Sequence, residues 1–144
     1  QRLDLAPIAG EQLGLLVCED LWHPQLAQRL AAGGGQVLGV LSAGPGTVGS
    51  GEVLESPDTW ECLSRSTAVV NTSWLLYCNR VGWEEGTFYA GGSHIVRPGG
   101  QILCRAASLE EDLLIATLDL REVDRLRWRL PLLRSERSDI EGPE

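Results

Sequence analysis

Cys18 closes an apolar run, Leu13-Gly14-Leu15-Leu16-Val17, and opens the polar sequence Glu19-Asp20-Leu21-Trp22-His23-Pro24. A thiol at such a boundary sits at the edge of a buried strand. Where a helix follows at once, the backbone N–H groups of its first turn face whatever the sulfur attacks. The chemistry open to this residue is attack on a polarised carbon through a covalent intermediate. A thiol with an ordinary pKa near 8.5 is mostly protonated at neutral pH, so it needs a base or a cation close by. The competing reading is a small apolar core side chain, which is what free cysteines usually are. A Cys–His pair could draw only on His23 and His94. Neither stands in a recognisable pattern with Cys18, and such a pair depends on spatial reach that spacing cannot show. Four cysteines, at 18, 62, 78 and 104, contain no Cys-x-x-Cys pair and no histidine at ligand spacing. That excludes an obvious zinc site and favours buried free thiols over disulfides. No phosphate-cradling glycine motif is present, so neither a cofactor nor a metal is expected.

The elements that must position Cys18 follow from the pattern around it. Gly14 to Val17 is too short and too uniformly apolar for an amphipathic helix, and Gln12 to Val17 reads as a strand. Pro24 to Ala32 suits a helix with Pro in its first turn and with Leu26 and Leu30 on one face. Gly33-Gly34-Gly35 ends that helix, and Gln36 to Leu41 reads as a second strand. Strand, helix and strand in so short a span predict a parallel pair with a helical crossover, hence an α/β fold.

Downstream, Gly44 to Ser56 is rich in Gly, Pro and Ser and reads as a long loop of functional interest. Ser56-Pro57-Asp58 opens a helix whose stripe of Trp60, Leu63, Thr67, Val70 and Trp74 is core packing. Leu75 to Cys78 reads as a strand and Asn79 to Gly86 as a loop at its end. Ser93–Arg97 and Gln101–Arg105 flank Pro98-Gly99-Gly100 as a hairpin. Leu113 to Leu118 reads as a last strand. Asp119 with Glu122 suits a reciprocal cap for a helix from Leu120 to about Arg129. Leu130-Pro131-Leu132-Leu133 is an apolar run with no element of its own to bury it, and 138–144 form a polar, acidic tail expected to be disordered.

At 144 residues and 43% hydrophobic, the chain suits one domain, over 1–137, followed by the tail. A net charge of −8 argues against nucleic acid and anionic membranes as partners, and no stretch approaches a membrane span. Nothing in the sequence suggests secretion, so the cytoplasm is the expected location. The chain contains no Met and no Lys, all twelve basic residues being Arg. It is therefore expected to be part of a longer protein.

Cys-Glu-Asp-Leu-Trp-His-Pro at 18–24, Val40-Leu41-Ser42-Ala43-Gly44-Pro45, Cys78-Asn79-Arg80-Val81-Gly82 and Phe88-Tyr89-Ala90-Gly91-Gly92-Ser93, with Pro98-Gly99-Gly100 after them, resemble the nitrilase superfamily of carbon-nitrogen hydrolases in order and spacing. The resemblance runs from about Gln12 to Leu133. It implies half of a four-layer α-β-β-α sandwich and a small amide or nitrile substrate. Oligomerisation is implied too, because protomers of the superfamily usually pair through helices.

In that superfamily a Glu, a Lys and a Cys act together through a thioester, the Glu and Lys lying N-terminal to the Cys block. On matching positions Cys18 would be the nucleophile and the backbone N–H of Glu19 the oxyanion donor. The Glu19 side chain would point away from Cys18, and Asp20 would order the turn. The missing Lys and the short segment before Cys18 imply that an N-terminal half supplies the other two groups, the chain alone being inactive. The mouth of the site would be lined at strand ends by Trp22, His23, Ser42, Ala43, and Glu84 or Glu85. Members that take N-carbamoyl-D-amino acids carry two arginines shortly after the Cys; Leu21-Trp22 stands there, which disfavours that substrate. Two alternatives remain: the glutaminase domain of glutamine-dependent NAD synthetases, which Cys-Glu-Asp-Leu-Trp and Leu-Ser-Ala also resemble, and a non-catalytic nitrilase-like scaffold.

Overall fold

The computed structural model describes residues 3–8, 10–46 and 57–135. Its strands are β1 (Leu5–Ile8), β2 (Glu11–Val17), β3 (Val37–Ser42), β4 (Trp74–Asn79), β5 (Val81–Glu84), β6 (Thr87–Ala90), β7 (His94–Val96) and β8 (Ile102–Arg105). Its helices are α1 (Pro24–Ala32), α2 (Pro57–Val70) and α3 (Arg121–Arg129), with a short 3₁₀ helix at Cys18–Trp22.

Six strands form one sheet in the order β1-β2-β3-β4-β7-β8. The central three are parallel, with Val17 beside Leu41 and Leu41 beside Cys78, so their carboxyl ends finish level. Antiparallel β1 lies on one flank and the β7–β8 hairpin on the other. The expected helix over Pro24 to Ala32 is present with Pro24 in its first turn, and Gly34, at φ +108°, turns the chain out of it toward β3. The Gly-Gly turn also holds, Gly100 taking φ +83° between β7 and β8.

One face of the sheet, with Leu16, Leu38, Val40, Leu75 and Tyr77, packs against Leu21, Ala27, Leu30, Trp60 and Ala68 from the helical side. Fully burying a Leu or Val of this kind is worth about 1.5–3 kcal/mol. Gly14 lets α1 come close: a Cβ there would stand 3.0 Å from Leu30 and Leu38 side-chain atoms. On the other face, Trp74, Ile95 and Val123 form a second cluster with Leu76, Leu114, Ala116 and Leu118. Leu15, Val17 and Leu41 on that face remain 45%, 59% and 54% exposed. No helix of the described residues is long and apolar enough to cross a membrane.

Several expectations are corrected. In α2 the buried residues are Trp60, Ser64, Thr67 and Ala68; Val70 is exposed, and Trp74 belongs to β4. Four residues per turn-and-a-bit, counted from Trp60, give this narrower stripe facing the sheet. Asn79 to Gly86 is not a plain loop, because Val81–Glu84 pairs with Thr87–Ala90. The turn has Glu85 at φ +48° and Gly86 at φ +82°, the two positive angles a tight hairpin needs. Trp83 packs across the strands against Phe88, the ring centroids 5.0 Å apart and the planes tilted by 44°.

Leu113–Leu118 alternates as a strand should, Leu113 and Ile115 outward and Leu114, Ala116 and Leu118 inward, yet it joins no ladder. The cap of α3 is one-sided. Asp119 accepts from the Arg121 backbone N–H at 3.1 Å, while Glu122 reaches Arg97 instead of turning back. Residues 47–56 of the long loop and the 138–144 tail lie outside the described residues.

Candidate active site

The run from Leu13 ends as a strand at Val17, the last residue paired with β3, and at Cys18 the backbone turns sharply into the 3₁₀ helix. Cys18 adopts φ +48°, a left-handed conformation that costs a residue with a Cβ roughly 1–2 kcal/mol. The turn is closed by Asp20, whose carboxylate accepts from the Val17 backbone N–H at 2.8 Å. Cys18 therefore stands half-buried at the carboxyl edge of the parallel strands, where open α/β sheets bind ligands. The Glu19 amide belongs to the first turn of the 3₁₀ helix, whose N–H groups have no acceptor within the helix.

The register brings Ser42 beside Cys18 and Asn79 beside Ser42. Ser42 Oγ donates to Cys18 Sγ at 3.6 Å and accepts from the Tyr77 hydroxyl at 3.3 Å and the Gly44 N–H at 3.1 Å. Asn79 braces the same corner: its Oδ1 accepts from the Gly44 N–H at 3.0 Å and its Nδ2 donates to the Gly91 carbonyl at 2.8 Å. Behind them runs an aromatic ladder in which Trp22 meets Trp60 edge-on at 5.7 Å, Trp60 stacks on Tyr77 at 5.4 Å and Tyr77 on His94 at 4.9 Å. A Cβ on Gly44 would meet Trp60 Nε1 at 2.8 Å, so the loop can pass the indole only as glycine.

Of the residues expected at the mouth, the structure brings Trp22 and Ser42 into this group around Cys18. Ala43 follows Ser42 and is exposed. The Glu19 carboxylate is 87% exposed and lies 3.9 Å from His23 Nε2. Glu84 and Glu85 are not brought to the cluster: Glu84 pairs with Arg80 and Glu85 occupies the hairpin turn. The hydrogen bond from Arg80 holds the Glu84 carboxyl below its usual range. Neither histidine bonds to Cys18. His94 is buried and donates from Nδ1 to the Gly92 carbonyl, 2.8 Å away, and burial lowers its pKa.

Sequence reasoning missed Tyr77, Asn79 and Trp60 as parts of this site. Tyr77 and Asn79 carried a usable signal, since alternate residues of one strand share a face and Asn79 is level with Ser42. Trp60 carried none, because its place depends on how α2 lies across the sheet.

A layered α/β sheet with a cysteine on a strained strand-to-helix turn defines a class of nucleophilic hydrolase folds. Within it, a carbon-nitrogen hydrolase family model matches residues 3–127, and the chain belongs to that family. It is 31% identical over 92% of its length to an omega-amidase of Homo sapiens, covering 46% of that protein. It is 32% identical over 85% of its length to a glutamine-dependent NAD(+) synthetase of Aquifex aeolicus, covering 22% of it. A carbon-nitrogen hydrolase structure from Helicobacter pylori superposes with a TM-score of 0.82 at 32% identity, over 92% of this chain and 48% of that one. An amidase from Nesterenkonia, bearing an acetamide moiety on its active-site cysteine, superposes with a TM-score of 0.77 at 29% identity, over 96% of this chain and 46% of that one. The chain thus spans about half the length of the amidases it matches.

Proposed function

We propose that this chain carries the nucleophile of a carbon-nitrogen hydrolase acting on a small non-peptide amide, with Cys18 as the attacking residue. The observation that carries the reading is Cys18 itself, half-buried on the strained turn at the carboxyl ends of the parallel strands in a chain of this family. Sγ would bond to the amide carbon, and the C–N bond would break as the leaving amine takes a proton. Water would then hydrolyse the thioester and return the thiol. The Glu19 N–H would donate to the oxyanion, and a Glu and a Lys from an N-terminal half of the same protein would move the proton and steady the charge. The covalent acetamide on the cysteine of the Nesterenkonia relative supports this assignment.

The exposed strip of Leu15, Val17 and Leu41 supports a second sheet, from that N-terminal half, packing on this face. Pairing of such protomers into a homo-oligomer and a cytoplasmic setting belong to the same reading, the latter supported by four cysteines that are all free.

The test is iodoacetamide labelling of the intact protein at neutral pH with peptide mapping, alongside turnover of a short aliphatic amide. Cys18 should label ahead of the more exposed Cys62 and Cys78, and Cys18→Ala should abolish turnover. Labelling in order of exposure, or turnover by Cys18→Ala, would refute the assignment. The likeness to the synthetase supports a second reading, a glutaminase domain, which predicts that ammonia is released from glutamine in preference to simple amides.

A further inference from the structure

We propose that Ser42 is the positioning residue for Cys18, and that the clamped Tyr77 hydroxyl holds Ser42 to that task. The inference rests on Cys18 being the nucleophile, as argued above, and assigns a role to two side chains behind it.

Ser42 Oγ has one proton and two lone pairs. The Tyr77 O–H donates to it at 3.3 Å, and so does the Gly44 N–H at 3.1 Å, shared with Asn79 Oδ1 at 3.0 Å. Its own proton is thereby directed to Cys18 Sγ at 3.6 Å, within the range for a sulfur acceptor. A hydroxyl so engaged has little left to offer a substrate. Ser42 therefore acts on the sulfur from behind and does not serve as a wall of the substrate pocket.

Tyr77 cannot easily release Ser42. Its ring is 3% exposed and stacked between Trp60 and His94, and His94 is tied through Nδ1 to the Gly92 carbonyl. Little is left to the tyrosine but rotation about its C–O bond. Three adjacent parallel strands thus supply the chain in spatial order: Tyr77 from β4, Ser42 from β3, and Cys18 just past the end of β2.

Chemically, an O–H donor aimed at sulfur favours the charged form and fixes the lone pair available for attack. When sulfur bonds to the acyl carbon its negative charge is lost and the hydrogen bond weakens. When water attacks the thioester and the C–S bond breaks, the electron pair returns to sulfur and the Ser42 proton is already in place to receive it. Ser42 would then matter in both halves of the reaction, without touching the substrate.

The experiment compares Ser42→Ala, Ser42→Thr, Tyr77→Phe and Cys18→Ala in the intact protein. It reads the rate of Cys18 alkylation by iodoacetamide at pH 7, kcat and KM for a short aliphatic amide, and the melting midpoint. Ser42→Ala should lower alkylation and kcat together by about ten- to a hundred-fold, the size of losing a hydrogen bond to a charged group, with KM little changed. Ser42→Thr should recover most of the loss because it restores the hydroxyl. Tyr77→Phe should produce a smaller fall of a few-fold in both rates while keeping the ring stack and the melting midpoint. Wild-type rates in Ser42→Ala, or in Tyr77→Phe should Ser42→Ala not fold, would overturn the inference while leaving the hydrolase reading intact. Turnover by Cys18→Ala would instead remove the reading on which it rests.

Discussion

Two residues of this chain keep chemistry in places that a sequence alone would price as unfavourable. Cys18 holds a positive φ that a side chain rarely adopts, and His94 keeps an imidazole in the core with Nε2 unpartnered. The cost at His94 depends on pH. Burial holds its pKa below the usual 6.5, while Glu61 and Arg105 act on it in opposite senses and are themselves paired with each other at 2.7 Å. As pH falls through about 6.5 the unfolded chain takes up a proton that the folded chain refuses, so stability declines toward acid. His94→Asn should carry a constant cost but lose this slope. Urea midpoints at pH 7.5 and 5.5 check it: the wild type should drop more between the two than the variant, and parallel drops would count against a neutral buried His94.

At the scale of elements, α3 is fastened by polar side chains as much as by Val123. Arg127 donates to the Gly35 carbonyl at 2.7 Å and to the Ser73 and Thr72 hydroxyls at 3.1 and 3.3 Å, tying the helix across the entrances to β3 and β4. Lys cannot reproduce that fork, so Arg127→Lys should cost about 1–3 kcal/mol in chemical denaturation.

At the other end of α3, Asp119 receives hydrogen bonds from Arg121 and Arg125, which lower its pKa to about 2. Its contribution is therefore present above its ordinary value of 3.8 and fades as pH falls toward 2. The difference in urea midpoint between wild type and Asp119→Asn should be full at pH 5 and mostly gone by pH 2. A difference that persisted unchanged at pH 2 would show that the carboxylate's charge is not what matters. The cap reading of Asp119 and Glu122 was half legible: the acidic first turn was evident in sequence, but Glu122 is drawn to Arg97, a residue from the β7–β8 turn that only folding brings near.

At the scale of the molecule, the sheet is covered by helices on one face and only in part on the other. Leu15, Val17 and Leu41 form an apolar strip that water meets directly in the isolated chain. Sedimentation of this chain expressed by itself should show association or poor solubility, and a clean, stable monomer would count against a half-sandwich completed by further sequence.

Local patterns determined much of this protein. The apolar run into Cys18, the Pro-initiated helix to Ala32 and its glycine exit specified a parallel α/β unit, because each depends on neighbours within a turn or a strand. The Gly-Gly hairpin between β7 and β8 was equally local. Pattern went wrong where an outcome depends on a remote partner. Leu113–Leu118 alternates correctly yet finds no strand to pair with, and Val70 follows the helical spacing yet faces solvent. Glu84 and Glu85 were expected in a loop past Asn79-Arg80, but that stretch is the β5–β6 hairpin, with Glu84 bonded to Arg80 and Glu85 at the turn. Strand alternation gives the face that Tyr77 shares with Asn79, but the convergence of Tyr77, Ser42 and Cys18 was decided by tertiary structure. It needs three strands in register and α2 laid across them with Trp60 against Tyr77, and no spacing along the chain encodes that alignment.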